Sequence, residues 1–356
     1  MGQIHIQPLL PLESTMFDNA PLIPVTLLTG FLGSGKTTLL NQLMQQPTMA
    51  DTLVIINEFG EIALDHHLVT HSQENIVQEM SSGCLCCTIR GDLTQTLRDI
   101  TWRFARNGKR QFSRVLIETT GLADPAPIIH TLMVDRHLAQ RYRLDGIITT
   151  IDMANGNQTL NHYFEAVKQA AVADCLLLTK NDLISSGDQQ ALQYRLKQIN
   201  PTATQWEVKQ GKIEATKLLN LGLFSTQRPD VQAWLKEELL QSTTESHQHD
   251  HAHDPNRHDD HIRAFCFTID KPIPEKNYFN WLNFLMMMVG DHILRVKGIL
   301  NIETYTQPMV IHGVQHIFHP PMPLENWPTD DHRSKIVFIT RDIEREVVEN
   351  IFHALT

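Results

Sequence analysis

A chain of 356 residues, 42% of them apolar, can bury a large core and has the length of two ordinary domains, so a disorder-dominated protein is excluded. Its 40 acidic and 30 basic residues give a formal net charge of −10, which speaks against the broad positive footprint of a nucleic-acid binder. Apolar patches such as Phe284–Val289 are far too short to cross a bilayer, so no membrane role is expected.

The first residues, 1–21, read as an irregular N-terminal tail, with no Lys or Arg and no uninterrupted apolar stretch of the signal-peptide kind. From 22 to 241 short apolar runs alternate with segments of helical period, the pattern of a parallel α/β sheet covered by helices on both faces. Strands are expected at Val25–Leu28, Leu53–Asn57, Ile76–Met80, Arg114–Glu118, Gly146–Ile151, Asp174–Thr179 and Thr204–Val208. The helices between them are expected over Lys36–Gln45, Asp92–Asn107, His162–Ala173 and Asp188–Ile199, where Pro201 stops the last one. Residues 242–261, rich in His and Asp without apolar periodicity, read as a linker. Residues 262–356 then form a smaller α+β domain. Its strands are expected at Ile262–Ile269, Leu294–Leu300, Met309–His319 and Lys335–Thr340, and its helices at Tyr278–Met288 and Ile343–Leu355.

Gly30-Phe31-Leu32-Gly33-Ser34-Gly35-Lys36-Thr37 fits G-x-x-x-x-G-K-[ST] between an apolar strand and a helix, the context of a phosphate-binding P-loop. Gly30, Gly33 and Gly35 let backbone N–H groups of Ser34, Thr37 and Thr38 converge on phosphate oxygens, while Lys36 supplies a point charge and Thr37 a hydroxyl for Mg²⁺. In Val115-Leu116-Ile117-Glu118-Thr119-Thr120-Gly121, Glu118 closes a buried strand where a Mg²⁺-supporting acid belongs, and Gly121 turns the chain. Leu176-Leu177-Leu178-Thr179-Lys180-Asn181-Asp182 ends in the T-K-x-D arrangement, with Asp182 able to accept both guanine donors that adenine lacks. The nucleotide is therefore expected to be GTP. Lys36, Thr37 and Glu118 are the catalytic candidates, and hydrolysis is expected to be slow because no strong activator of the attacking water stands out. Asn57-Glu58-Phe59-Gly60-Glu61 reads either as a switch segment sensing the γ-phosphate or as a polar turn, with Glu61 a secondary metal candidate.

Cys84-Leu85-Cys86-Cys87 packs three of the chain's five cysteines into four positions behind Ser81-Ser82-Gly83. Thiolates select soft or borderline ions such as Zn²⁺ or Cu⁺, and three of them leave a fourth position open for transfer. Consecutive strand residues point to opposite faces, so joint ligation by Cys84, Cys86 and Cys87 requires a loop. A buried apolar cluster or a redox pair are the competing readings. Such crowding is unlike the spaced framework of a secreted disulfide protein, and a cytoplasmic location is expected. Cys175 and Cys266 read as core.

GFLGSGKTT, INEFGE, GCLCC, ETTGLADP and TKND, in this order, resemble the CobW/YjiA-type GTPases, a family of zinc chaperones and metallocentre activators of the SIMIBI class. Leu294-Arg295-Val296-Lys297-Gly298-Ile299-Leu300 is similar to the L-R-x-K-G-x-L stretch of the CobW C-terminal domain. The resemblance implies zinc binding by the C-x-C-C cysteines, GTP hydrolysis tied to metal transfer to a client metalloprotein, and a nucleotide- or metal-dependent homodimer. His247, His249, His251 and His253 of the linker could load or buffer Zn²⁺, Co²⁺ or Ni²⁺, or could simply be solvated. Two other functions compete, a P-loop kinase for a small metabolite, against which TKND speaks, and passive metal storage, which leaves the nucleotide motifs unused.

Overall fold

In the computed structural model, residues 21–57, 77–79, 85–89, 92–106, 109–221, 261–319 and 321–353 are described. The apolar runs of the first half become β1 (Ile23–Gly30), β2 (Thr52–Asn57), β3 (Val77–Glu79), β4 (Leu85–Ile89), β7 (Arg114–Thr119), β8 (Tyr142–Asp152), β9 (Cys175–Thr179) and β10 (Thr204–Val208). A small hairpin of β5 (Ala105–Arg106) and β6 (Lys109–Arg110) stands apart. The eight strands form one sheet in the order β10-β9-β8-β1-β7-β2-β4-β3, parallel throughout except for the last pair.

Alternation along each strand divides the core between the two faces. Val25, Leu27, Ile55, Val115 and Ile117 pack with Leu97 and Ile100 of α2 (Leu93–Arg103) and Ile129 and Leu132 of α3 (Ala126–Val134). Leu28, Val54, Leu116 and Leu177 instead meet Leu39, Leu40 and Leu43 of α1 (Lys36–Leu43). Four further helices follow, namely α4 (Arg136–Ala139), α5 (Gly156–His162), α6 (Phe164–Val172) and α7 (Ser186–Ile199). Their starts follow local chemistry, since Asp92 caps α2 through the amide of Thr94, and Ser185 caps α7 through that of Asp188.

The second unit is a sheet ordered β11 (Ile262–Ile269), β16 (Ser334–Arg341), β12 (Ile293–Leu300), β13 (Met309–Val314) and β14 (Ile317–Phe318), antiparallel throughout, with β15 (Met322–Pro323) beside β13. Phe265, Phe267, Val296 and Phe338 on one face pack under α8 (Glu275–Val289) and α9 (Arg345–His353). Ile262, Leu294 and Ile339 on the other face join Val167 and Leu192 of α6 and α7, so the two sheets share a core.

At that junction lies a buried charge cluster. Asp174 sits between Arg295, 2.7 Å away, and Lys297, 2.6 Å away, and its other oxygen accepts the amide of Ile147 at 2.9 Å. Burial raises the Asp174 carboxyl, but the two cations outweigh it and hold the group well below the usual range. Nearby His312 is kept neutral by burial, with the Arg295 charge acting in the same direction. The sequence motif around Arg295 and Lys297 is thus a clamp on the first domain.

Several expectations need correction. The helix expected over His162–Ala173 is α6, starting after Tyr163, and α5, which ends at His162, was not anticipated. The expected strand Met309–His319 breaks into β13 and β14 because Gln315 takes a left-handed φ of 53°. The edge strand β3 runs antiparallel, so the sheet is mixed. Helices α3 and α4 were not anticipated. Cys175 is buried as expected, whereas Cys266 is half-buried. The expected tail 1–21 lies outside the described residues except for position 21, and the linker 242–261 except for His261. The end of the first domain at 241 also lies outside them, whereas β11 starts at Ile262. Among the described residues no helix is long and apolar enough to cross a membrane.

Candidate functional site: a nucleotide pocket at the carboxyl edge of the sheet

The phosphate loop leaves the central strand β1 and enters α1, the place where a parallel sheet opens a crevice for anions. Gly30 has no room for a side chain, since a Cβ there would come within 2.2 Å of the Thr150 hydroxyl. Gly33 and Gly35 adopt left-handed φ values of 71° and 96°. Helix α1 begins with no side-chain cap and no acid in its first turn, which leaves amides and a partial positive charge for a phosphate.

Lys36 is nearly buried and donates from Nζ to the carbonyls of Gly30 at 2.7 Å and Phe31 at 3.1 Å. Burial pulls its pKa down to about 8, and the Glu118 charge partly offsets that fall. Glu118 ends up buried on β7, and Thr37 Oγ1 donates to its Oε1 at 3.4 Å. A hydroxyl beside a carboxylate suits a hard, oxygen-seeking cation such as Mg²⁺. Gly121 abuts the phosphate loop, because a Cβ there would lie 2.6 Å from the Leu32 nitrogen.

The T-K-N-D segment joins this loop through side chains. Thr179 Oγ1 donates to the carbonyls of Ser34 at 2.8 Å and Ile151 at 3.1 Å, so the base-reading turn is tied to the phosphate cradle. Lys180, in a left-handed conformation with φ 57°, donates from Nζ to Asp152 Oδ2 at 2.7 Å. Burial raises the Asp152 carboxyl, but hydrogen bonds from Lys180 and Asn155 hold it below the ordinary value. The Asn181 amide secures the turn on the Leu178 carbonyl at 2.9 Å, and Asp182 lies exposed on the one-turn helix that follows. All the nucleotide candidates therefore gather at one edge.

Sequence reasoning missed three partners. Thr150 meets Ser34 Oγ at 2.6 Å, Asp152 pairs with Lys180, and buried Gln169 donates to the carbonyls of Gly121 at 3.2 Å and Ala123 at 3.0 Å. Thr149-Thr150-Ile151-Asp152, polar residues at the end of a buried parallel strand, was the available signal.

The metal motif is placed differently. Cys86 and Cys87 have strand backbone within β4, paired in register with Val54 and Ile55 of β2, so the loop expected to carry all three thiols is corrected. The cause is local, since Leu85–Ile89 completes the hydrogen-bond ladder between β2 and β3. Cys84, Glu61 and His247, His249, His251 and His253 lie outside the described residues. Among the described residues no group of three or more His, Cys, Asp and Glu side chains is placed to hold a metal ion. Asn57, the last residue of β2, is buried beside Thr119, and its Nδ2 has no hydrogen-bond partner among the described residues.

A P-loop joined to a T-K-x-D turn, with a buried glutamate facing the loop threonine, defines a P-loop GTPase. The chain belongs to the CobW family: residues 24–207 match the CobW/HypB/UreG nucleotide-binding domain, and residues 262–356 match the cobalamin synthesis protein cobW C-terminal domain. It is 32% identical over 333 residues to the zinc chaperone YjiA of Escherichia coli, covering 94% of this chain and 98% of that protein. The zinc-regulated GTPase metalloprotein activator 1 of Schizosaccharomyces pombe shares 29% identity, across 92% of this chain and 81% of its own length. The crystal structure of Zn(II)-bound YjiA GTPase from E. coli superposes with a TM-score of 0.71 at 30% identity, covering 95% of this chain and all of that one.

Proposed function

We propose that this GTPase is a zinc chaperone that couples GTP hydrolysis to metal transfer to a client metalloprotein, holding one Zn²⁺ through Cys84, Cys86 and Cys87 in a state in which the Cys86–Cys87 stretch of β4 has left its strand pairing. The observation that carries the nucleotide half is the Thr179 hydrogen bond to Ser34, which sets Asp182 at a fixed reach from the phosphate cradle. The metal half rests on the cysteine motif and on the likeness to zinc chaperones along nearly the whole chain.

In this reading the loop amides and Lys36 position the triphosphate, and Thr37 and Glu118 would hold a Mg²⁺, which would supply neutralisation of phosphate charge. Lys36 leaves its carbonyl partners for phosphate oxygens, and Lys180 covers the base while Asp182 accepts its two donors. Thiolates give the zinc site its affinity, so loading releases protons and weakens as pH falls. The linker histidines act as a weaker loading store, with Co²⁺ or Ni²⁺ as further ions. Glu61, in the sequence after β2, offers a carboxylate as the fourth ligand, and a nucleotide- or metal-dependent homodimer is the working assembly in the cytoplasm.

Two measurements test this reading. Phosphate release should occur with GTP, without any acceptor, well above the rate with ATP, and Asp182→Ala should erode that preference by about tenfold to a hundredfold, the range for losing charge-assisted hydrogen bonds. Unchanged selectivity in that variant sinks the base assignment. Metal titration should find one tight Zn²⁺ that vanishes on Cys84, Cys86 and Cys87→Ser and survives deletion of Ser246–His261. The opposite pattern moves the tight site to the linker.

A further inference from the structure

The turn that follows Glu118 is held from three sides. Gly121 presses on the phosphate loop at Leu32, and Gln169 of α6, 1% exposed, holds the carbonyls of Gly121 and Ala123. Asp124 at its far end makes three contacts. Its Oδ1 accepts the Ala126 amide at 3.0 Å, and its Oδ2 accepts Lys168 Nζ at 3.0 Å and Gln315 Nε2 at 3.3 Å.

Gln315 belongs to the other domain, in the turn between β13 and β14. Its own amide donates to Leu294 of β12 at 3.2 Å, beside the clamp residue Arg295. It adopts a left-handed φ of 53°, a conformation that glycine takes without cost and a long side chain does not. The two-residue hairpin loop Gln315–His316 requires that backbone, and it carries the Gln315 side chain to Asp124. His130 of α3 and the neighbouring His316 approach across the same seam, with ring centroids 6.2 Å apart.

We infer that Asp124 and Gln315 are positioning residues that carry the nucleotide state from the Gly121 turn to the β13–β14 turn of the C-terminal domain. The inference rests on GTP occupying the P-loop. A γ-phosphate on the loop amides meets the Gly121 turn at its near end, and any rigid shift of that turn moves Asp124, because Gln169 and Lys168 bind the segment as one piece. The Asp124–Gln315 bond is half-buried and, at 3.3 Å, weak enough to make or break within such a shift. The C-terminal domain is thereby told which nucleotide is bound through one half-buried hydrogen bond.

The test is hydrogen exchange of the amides of residues 312–319 in the full chain, with a non-hydrolysable GTP analogue and with GDP. The wild type should differ between the two nucleotides by on the order of tenfold, a typical coupling. Gln315→Gly removes the amide while suiting the backbone, so it should fold, bind the analogue within about twofold of wild type, and lose the difference. Asp124→Asn keeps its one acceptor oxygen for the Ala126 cap and presents its NH2 to Gln315, whose side-chain amide can turn to accept it, so this variant should retain the difference. If the analogue binds and the wild type shows no difference, or Gln315→Gly keeps it, the relay is overturned. Failure of the analogue to bind at all rejects the nucleotide reading on which the relay stands.

Discussion

Beside the apolar core that the C-terminal sheet shares with the nucleotide-binding domain, two polar contacts between them are opposite in kind. Around Asp174 two cations and a backbone amide meet one carboxylate in a site where Arg295 is 1% exposed. At Asp124 a single amide reaches a partly exposed carboxylate at 3.3 Å. A buried pair of charges cannot be separated without stranding its members in a low dielectric, so the first contact fixes how the domains dock. Water can replace either partner of the second at little cost, so that contact is free to respond. Rigidity and responsiveness are thus assigned to different parts of one interface.

The largest way to break this contrast is Asp174→Ala. It leaves Arg295 and Lys297 buried without their counter-charge, and the loss of stability should be roughly 3–5 kcal/mol, read as a fall in the denaturant midpoint. Replacing Asp174, Arg295 and Lys297 together with apolar residues of similar volume should recover most of that loss, because the penalty lies in the stranded cations. The carboxyl is held below its unfolded value, so its contribution is complete above about pH 4 and is lost only as pH falls towards its depressed value. The clamp should therefore outlast ordinary surface ion pairs in an acid titration.

An intermediate effect concerns the phosphate loop. The Lys36 amine titrates near pH 8 in the free protein, and a bound triphosphate favours its charged form and raises that value. Affinity for GTP should then be constant well below pH 8 and fall as pH rises through it, by at most about tenfold per unit, with proton uptake on binding in that window. Calorimetry in buffers of different ionisation enthalpy measures the uptake directly. A flat profile to pH 9 would contradict the burial of this amine.

The smallest effect belongs to the single hydrogen bond between Asp124 and Gln315. Gln315→Gly should shift stability by no more than about 1 kcal/mol, since one long, half-buried hydrogen bond is lost while a left-handed residue is relieved. A loss as large as that of the Asp174 variant would erase the distinction between the two contacts.

How much of this was legible in the sequence depended on the kind of signal. The β1 to α1 cradle, Glu118 at its strand end and the T-K-N-D turn were readable because each is a short string whose chemistry dictates its backbone. Asp152, Thr150 and Gln169 were not, since their partners stand 28, 116 and at least 46 positions away and no local pattern encodes such pairs. Arg295 and Lys297 were noticed as a resemblance, yet their target, Asp174, only emerged once the two sheets were docked. Helix α5 was hidden because Gly156-Asn157-Gln158-Thr159-Leu160-Asn161-His162 carries a single apolar side chain and so shows no helical apolar period. Cys86 and Cys87 were assigned to a loop on chemical grounds, and the ladder between β2 and β3 overrode that assignment.

The central claim, that nucleotide state governs the hold on zinc, is tested most directly by measuring Zn²⁺ affinity with a non-hydrolysable GTP analogue and with GDP. The account predicts a difference of on the order of 1–3 kcal/mol, matched by an equal effect of Zn²⁺ on the preference for GTP over GDP, as linkage requires. Equal zinc affinities in the two states, with a nucleotide preference that ignores zinc, would contradict a coupled chaperone.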